Sequence, residues 1–167
     1  MVKIGLLSDS HGSIEKPALE ALSDVDEIWH AGDVGDAAVL EAFPKGKKKR
    51  VVFGNIDDSH LRMALEEELF FEAAGLKVLM THIGGKPPRY AKGIKKRIMT
   101  LKPQLFICGH SHICKVEFDK TLNCLYMNPG AIGNQGFHLV KTLLKFEINE
   151  GKIQNLNVVE LGRRGRK

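Results

Sequence analysis

The sequence predicts an α/β (α+β) chain in which two β-sheets pack together with helices outside. Three observations carry that expectation. From Val2 to Leu65, short apolar runs alternate with segments of helical spacing, the pattern of strands joined by covering helices. From Glu67 onward the runs are strand-like and joined by turn signals such as Ala74-Gly75 and Asn149-Glu150-Gly151, which reads as mostly antiparallel strand. Polar residues of metal-ligand type stand just past the ends of the apolar runs, the edge at which open α/β sheets place ligands.

The elements follow in order. Val2 to Leu7 is a near-continuous apolar run, as expected for a strand buried on both faces. Pro17 suits a first helical turn, and Ala18, Leu19 and Leu22 continue it. Val25 to His30 reads as the second strand. Asp36 to Phe43 reads as a short helix stopped at Pro44. Arg50 to Phe53 is the expected third strand, and Asp57-Asp58-Ser59 can cap a short segment through Leu65. Leu69-Phe70-Phe71 and Leu76 to Met80 flank Ala74-Gly75 as a hairpin. Pro87-Pro88 marks a loop, and Arg89 to Leu101 reads as an amphipathic basic helix stopped by Pro103. Leu105 to Cys108 is another buried strand. Cys114 to Phe118, Cys124 to Met127, Leu139 to Ile148 and Ile153 to Val159 complete the strand-like runs.

The 167 residues are expected to form one domain, 1–167, with 163–167 a frayed basic tail. Hydrophobic residues make up 43% and charged residues 27%, as in an ordinary globular protein. No apolar run approaches the roughly 20 residues that span a bilayer. Met1-Val2-Lys3-Ile4 enters a strand pattern at once, unlike a signal peptide, so a cytoplasmic location is expected. Cys108, Cys114 and Cys124 form no CxxC pair and read as buried thiols. The net charge of +5 permits an anionic partner. No aromatic-interleaved patch or reader motif supports nucleic-acid binding, and the basic runs Lys45–Arg50, Lys92–Arg97 and Arg163–Lys167 read as solvated faces.

The chemistry is carried by Asp9, His11, Asp33, Asn55, His82, His110 and His112. Carboxylate, imidazole and amide together are borderline-to-hard ligands, suited to manganese, iron, zinc, cobalt or nickel. The absence of cysteine among them argues against a structural zinc knot. A carboxylate shared between two cations, Asp33, is the simplest way to use all the groups. Asp9 and His11 alternate across Ser10, and His110 and His112 across Ser111, so extended backbone would point each pair the same way. Gly32, Gly54 and Gly109 adjoin ligand positions, where glycine permits unusual dihedrals and close approach. His30 reads as a buried or outer histidine, His60 and His138 as surface or core, and Asp36 and Asp57 as capping or ligand-orienting carboxylates.

Asp9-x-His11, Gly32-Asp33, Gly54-Asn55, His82 and Gly109-His110-Ser111-His112, in this order, resemble the calcineurin-like metallophosphoesterase superfamily. The short length, Gly54-Asn55-Ile56-Asp57 and Asn128-Pro129-Gly130 resemble its small bacterial and archaeal phosphodiesterase branch, the YfcE-like proteins, to which the retromer subunit Vps29 is related. The resemblance covers nearly the whole chain. It implies a four-layer αββα sandwich of two mixed β-sheets flanked by helices. It also implies a dinuclear site: Asp9, His11 and His112 on one metal, Asn55, His82 and His110 on the other, and Asp33 between them. Asn128-Pro129-Gly130 would be a structural turn beside that site.

The expected activity is a metal-dependent phosphoesterase, preferentially a phosphodiesterase, in which a bridging hydroxide attacks phosphorus in line. Asp33, Asn55 and His82 are its expected catalytic groups. The expected cofactors are two divalent transition-metal ions, manganese first, with nickel, iron, cobalt or zinc as options. The expected partner is a small phosphodiester, with no membrane. The hairpin around Glu68-Leu69-Phe70-Phe71 could make a symmetric homodimer interface. Two positions depart from the superfamily. Ile56 stands where many members carry a histidine proposed as general acid, with Asp57 a candidate substitute. Gly84 stands where relatives often carry a second histidine. The alternative from another class is a Vps29-like protein-binding scaffold with weak hydrolase activity, against which the complete ligand set argues.

Overall fold

The computed structural model describes residues 1–165. The chain runs β1 (Val2–Leu7), α1 (Lys16–Ala21), β2 (Glu27–His30), α2 (Ala37–Glu41), β3 (Lys48–Val51), α3 (Ser59–Ala64), β4 (Glu68–Ala73) and β5 (Leu76–Thr81). It continues through β6 (Gly85–Lys86), β7 (Arg89–Tyr90), α4 (Ile94–Leu101), β8 (Leu105–Ile107), β9 (Cys114–Asp119), β10 (Cys124–Pro129), β11 (Val140–Asn149) and β12 (Lys152–Arg163). One sheet has the order β12-β11-β1-β2-β3 and the other β4-β5-β8-β10-β9. Both are mixed. In the first, β1, β2 and β3 are parallel and β11 runs against β1. In the second, β5, β8 and β10 are parallel, with antiparallel β4 and β9 at the edges.

Strand alternation distributes the apolar runs among three layers. Ile4, Leu6 and Trp29 of the first sheet face Val78, Met80, Leu105, Ile107 and Met127 of the second, forming the layer between the sheets. Leu7, Ile28 and Leu143 point the other way, against Ala18, Val39 and Leu61 of the first three helices. Leu79, Phe106 and Tyr126 cover the outer face of the second sheet with Ile94 and Ile98 of α4. This is the expected αββα sandwich. Each side chain buried in this way contributes roughly 1.5–3 kcal/mol relative to exposure. The helix starts follow their caps: Asp36 accepts from Ala38 N–H at 2.8 Å and Asp58 from Leu61 N–H at 2.9 Å.

Several element bounds differ from the reading of the sequence. The third strand lies two residues early, at Lys48–Val51 instead of Arg50–Phe53. It is an edge strand with Lys48 and Lys49 exposed, so charge hides it from an apolar pattern. Helix α4 starts at Ile94, not Arg89. Arg89 and Tyr90 pair instead with Lys86 and Gly85, and Pro87-Pro88 is the turn of this small hairpin. The basic tail begins as ordered structure. Arg163 closes β12, and the Arg164 guanidinium donates to the carbonyls of His138 and Asn134 at 2.9 and 3.3 Å; residues 166–167 lie outside the described residues. On edge strand β4, Phe71 turns inward against Trp29 (ring centroids 5.0 Å apart) and leaves Phe70 exposed. No helix among the described residues is long and apolar enough to cross a membrane.

Candidate metal centre

All seven candidate ligands stand past the C-terminal ends of parallel strands: Asp9 and His11 after β1, Asp33 after β2, Asn55 after β3, His82 after β5, His110 and His112 after β8. The fold brings six of them into two groups. Asp9, His11 and His112 form one, and Asp33, His82 and His110 the other; within each group the ligand atoms lie within 4.8 Å of one another. The groups adjoin. His112 Nε2 is 3.1 Å from Asp9 Oδ1, and His82 Nε2 is 3.2 Å from Asp33 Oδ2. Asp33 Oδ2 is also 3.8 Å from His11 Nε2, so this one oxygen faces a histidine of each group. Asn55 is exposed and lines, with His82, an open cavity of about 500 Å³ beside the second group.

The backbone reaches this arrangement by a route different from the extended pairs expected above. Asp9, His11, Asp33, His110 and His112 all have left-handed φ, between 48° and 68°. Non-glycine residues adopt that region at a cost of order 1–3 kcal/mol each, so the surroundings must hold them there. Asp9 N–H donates to Gly32 O and His11 N–H to Asp33 O, both at 3.0 Å, lacing the loops after β1 and β2 together. Gly54 and Gly109 are not left-handed; they serve by close approach. A Cβ at Gly54 would sit 2.1 Å from Asp33 Oδ1, and one at Gly109 2.0 Å from Ser8 Oγ.

The two carboxylates are oriented by the same device. Asp33 Oδ1 accepts the Ile56 N–H at 3.0 Å and Asp9 Oδ2 accepts the His110 N–H at 3.1 Å. In each case a backbone donor from another loop fixes one oxygen and leaves the other facing the histidines. His82 Nδ1 lies 2.7 Å from the Ala31 carbonyl, so it carries the proton and Nε2 presents its lone pair inward. Asp9 Oδ1 and His82 Nε2 are buried without a hydrogen-bond partner. Buried polar atoms are rarely left so, and a cation would satisfy both. Burial opposes charge on His82, but the Asp33 and Asp9 carboxylates outweigh it and raise its pKa. The Asp9 carboxylate beside it raises that of His112, burial lowers that of His11, and Asp33 is lowered because His82 outweighs burial. The residues present therefore fit divalent metal.

The surrounding residues hold the loops. Asp57 is buried, and its oxygens accept N–H groups from Val34 (3.2 Å), Gly35 (2.6 Å) and Gly54 (2.7 Å). It is a staple between the Asp33 and Asn55 loops, with both carboxylate oxygens taken up as acceptors. His30 is fully buried and outside both ligand groups. Gly32 N–H donates to its Nδ1 at 3.2 Å, so Nε2 carries the proton toward Ser10 Oγ at 2.9 Å. Asn128 Nδ2 donates to Gly109 O at 2.8 Å and Ser111 Oγ at 3.1 Å, tying down the His110 loop. Arg62 was not singled out from sequence. Its guanidinium stacks on Phe53 and donates to the carbonyls of Gly54, Asn55 and Asp57, clamping the Asn55 loop. Only its place three residues past the Asp58-Ser59 cap could have hinted at this. His138, read as surface or core, packs edge-on against His112 with ring centroids 5.2 Å apart.

Residues 2–151 match the family model of the calcineurin-like phosphoesterase superfamily domain. The chain is 30% identical over 135 residues to a probable metallophosphoesterase of Methanocaldococcus jannaschii, covering 77% of this chain and 67% of that protein. It is 26% identical over 134 residues to one of Methanothermobacter thermautotrophicus, covering 77% and 76%. Among solved structures, an archaeal phosphodiesterase superposes with a TM-score of 0.77 at 19% identity, covering 95% of this chain and 99% of that one. Vps29 of Chaetomium thermophilum gives 0.77 at 12% identity, covering 99% and 100%. A zinc complex of Vps29 from Entamoeba histolytica gives 0.70 at 16% identity, covering 95% and 98%. At these identities the structural likenesses bear on fold.

Proposed function

The chain belongs to the calcineurin-like phosphoesterase superfamily, and on that premise we propose that it is a dinuclear metal-dependent phosphodiesterase. The observation that carries the reading is Asp33 Oδ2, set 3.2 Å from His82 Nε2 and 3.8 Å from His11 Nε2, one histidine from each ligand group. Asp9, His11 and His112 would hold one ion; His82, His110 and Asn55 would hold the other; Asp33 would be shared. Manganese is the first metal to test, with nickel, iron, cobalt and zinc as options that the mixed carboxylate and imidazole donors also suit. When bound, such a pair supplies an activated water and neutralises charge on a phosphoryl group.

The chain's own residues supply orientation. The Ile56 and His110 N–H groups hold the carboxylates so that their free oxygens converge, and the Ala31 carbonyl holds the His82 ring. His82, Asn55 and Asp33 are the groups nearest the reacting phosphoryl in this reading. Among the positions considered for a general acid, Ile56 has no proton to give and both Asp57 oxygens are occupied as acceptors. General acid help is typically worth about 10²–10⁴-fold, so diesters with good leaving groups should turn over far faster than alkyl diesters. Assay of metal-loaded protein on an aryl diester, an alkyl diester and an aryl monoester tests this. Cleavage of the monoester in preference to the aryl diester would count against the diesterase assignment.

A second reading has one observation behind it. Ile113, Phe137 and Leu139, near His112, are 63%, 100% and 79% exposed, an apolar rim of the kind that binds proteins. A scaffold role predicts partner capture that is lost with Phe137→Ser and indifferent to Asp33→Asn. Pairing of two copies through the β4 edge at Phe70 is a further proposal, to be dropped if the protein sediments as a monomer at high concentration.

A further inference from the structure

The hairpin of β6 and β7 stands against the metal centre and carries two cations that nothing described so far uses. Lys86 and Arg89 are directly opposite each other in its register. Opposed residues of an antiparallel pair share a face, and like charges placed so destabilise it. Among the described residues, neither has a carboxylate within salt-bridge distance, whereas Arg97, Lys115 and Lys141 are each paired. Both line a cavity of about 250 Å³ together with His110, Ser111, Lys115 and Tyr126.

The hairpin is also held in place. Tyr126 Oη donates to Gly85 O at 3.0 Å, and Ala91 N–H donates to Gly84 O at 2.9 Å. Gly84 is wedged so closely that a Cβ there would lie 2.6 Å from Phe106 and 2.7 Å from Cys108. The two cations are therefore presented to the cavity by an anchored turn, not by a loose loop. His110 is a wall of this cavity and a member of the second ligand group, so a molecule bound at the centre can reach it.

We propose that this cavity is an anion subsite, and that the substrate is a phosphoester bearing a second anionic group, a carboxylate or phosphate, which lies between Lys86 and Arg89. The proposal rests on the phosphoesterase reading above. A bound anion would relieve the repulsion between the two cations and add charge-assisted hydrogen bonds.

The test is inhibition of methyl p-nitrophenyl phosphate hydrolysis by the metal-loaded protein. Phosphonoalkanoates and phosphonoalkyl phosphates with two to four methylenes are compared with alkylphosphonates of the same length. The first two series distinguish carboxylate from phosphate as the second anion. At least one charged inhibitor should bind more tightly than its alkyl counterpart by roughly tenfold, the size expected for two partly exposed charge pairs. That advantage should shrink as salt is raised. In the double variant Lys86→Ala, Arg89→Ala, whose side chains are exposed and outside the ligand set, it should vanish while hydrolysis of the methyl ester is unchanged. Equal inhibition by charged and alkyl compounds of every length, or an advantage that survives the double substitution, overturns the subsite. Failure of the methyl ester to turn over with any metal overturns the hydrolase reading and the subsite with it, and is distinguished by that control alone.

Discussion

Asp57 accepts three backbone N–H groups, from Val34, Gly35 and Gly54. Its replacement by alanine strands those donors, and buried unsatisfied donors cost about 1–3 kcal/mol each. Asp57→Ala is expected to lose several kcal/mol of stability in denaturant unfolding and to weaken metal binding by roughly 10–100-fold, the range found for residues that orient ligands. Unchanged metal affinity would show that the Asp33 and Asn55 loops do not depend on this staple. His30 makes a prediction with a sign. Burial pushes its pKa down to about 4, against about 6.5 in an unfolded chain. Between those values the unfolded state binds the extra proton. The contribution is therefore complete above pH 6.5 and is lost as pH falls toward 4, by about 3 kcal/mol. Stability measured at pH 7 and pH 4.5 should fall less in His30→Gln than in the natural chain; equal falls would contradict the assignment. The general character of both was legible, His30 as a buried histidine and Asp57 as an orienting carboxylate, but not their partners, because Val34 and Gly35 for Asp57 and Ser10 for His30 lie on loops some twenty residues away. The positions of the candidate ligands were legible, since Asp, Asn and His stand just past the ends of apolar runs. Their left-handed backbone was not, because nothing in Asp9-Ser10-His11 distinguishes it from an extended triplet.

At the scale of elements, the central strands were legible and the edges were not. β1, β5 and β8 are buried on both faces over most of their length, with only Lys3 and Lys77 exposed, and read as near-continuous apolar runs. β3 presents lysines to solvent at the sheet edge, and the β6–β7 hairpin is too short to show a period, so both were misplaced or missed. Close approach between elements gives the next prediction. In Gly109→Ala the new Cβ would lie 2.0 Å from Ser8 Oγ, 2.9 Å from Asp9 Oδ2 and 3.0 Å from Ala31 O. The loops after β8 and β1 would have to separate, and the variant should bind fewer metal ions per chain. Ile98→Ala, in α4 on the far side of the second sheet, should cost about 2–5 kcal/mol with metal stoichiometry unchanged. The same metal loss in both variants would mean that the centre responds to global stability instead of to loop spacing.

Across the whole molecule, the centre lies where the C-terminal ends of parallel strands from both sheets converge, and the apolar layers beneath it are built without metal. Chelation is therefore expected to lower the thermal midpoint but to leave a cooperative transition. Restoring an ion at about 100 times its Kd should return about 2.7 kcal/mol. Loss of the cooperative transition in chelator would make the metals part of the fold itself. The central claim, a shared Asp33 between two ions, is tested most directly by counting bound metal on stripped and reloaded protein, natural and Asp33→Asn, alongside hydrolysis of an aryl phosphodiester. The account predicts two ions per chain and metal-dependent cleavage for the natural protein, and loss of both in the variant. An Asp33→Asn protein that keeps two ions and full turnover would contradict it.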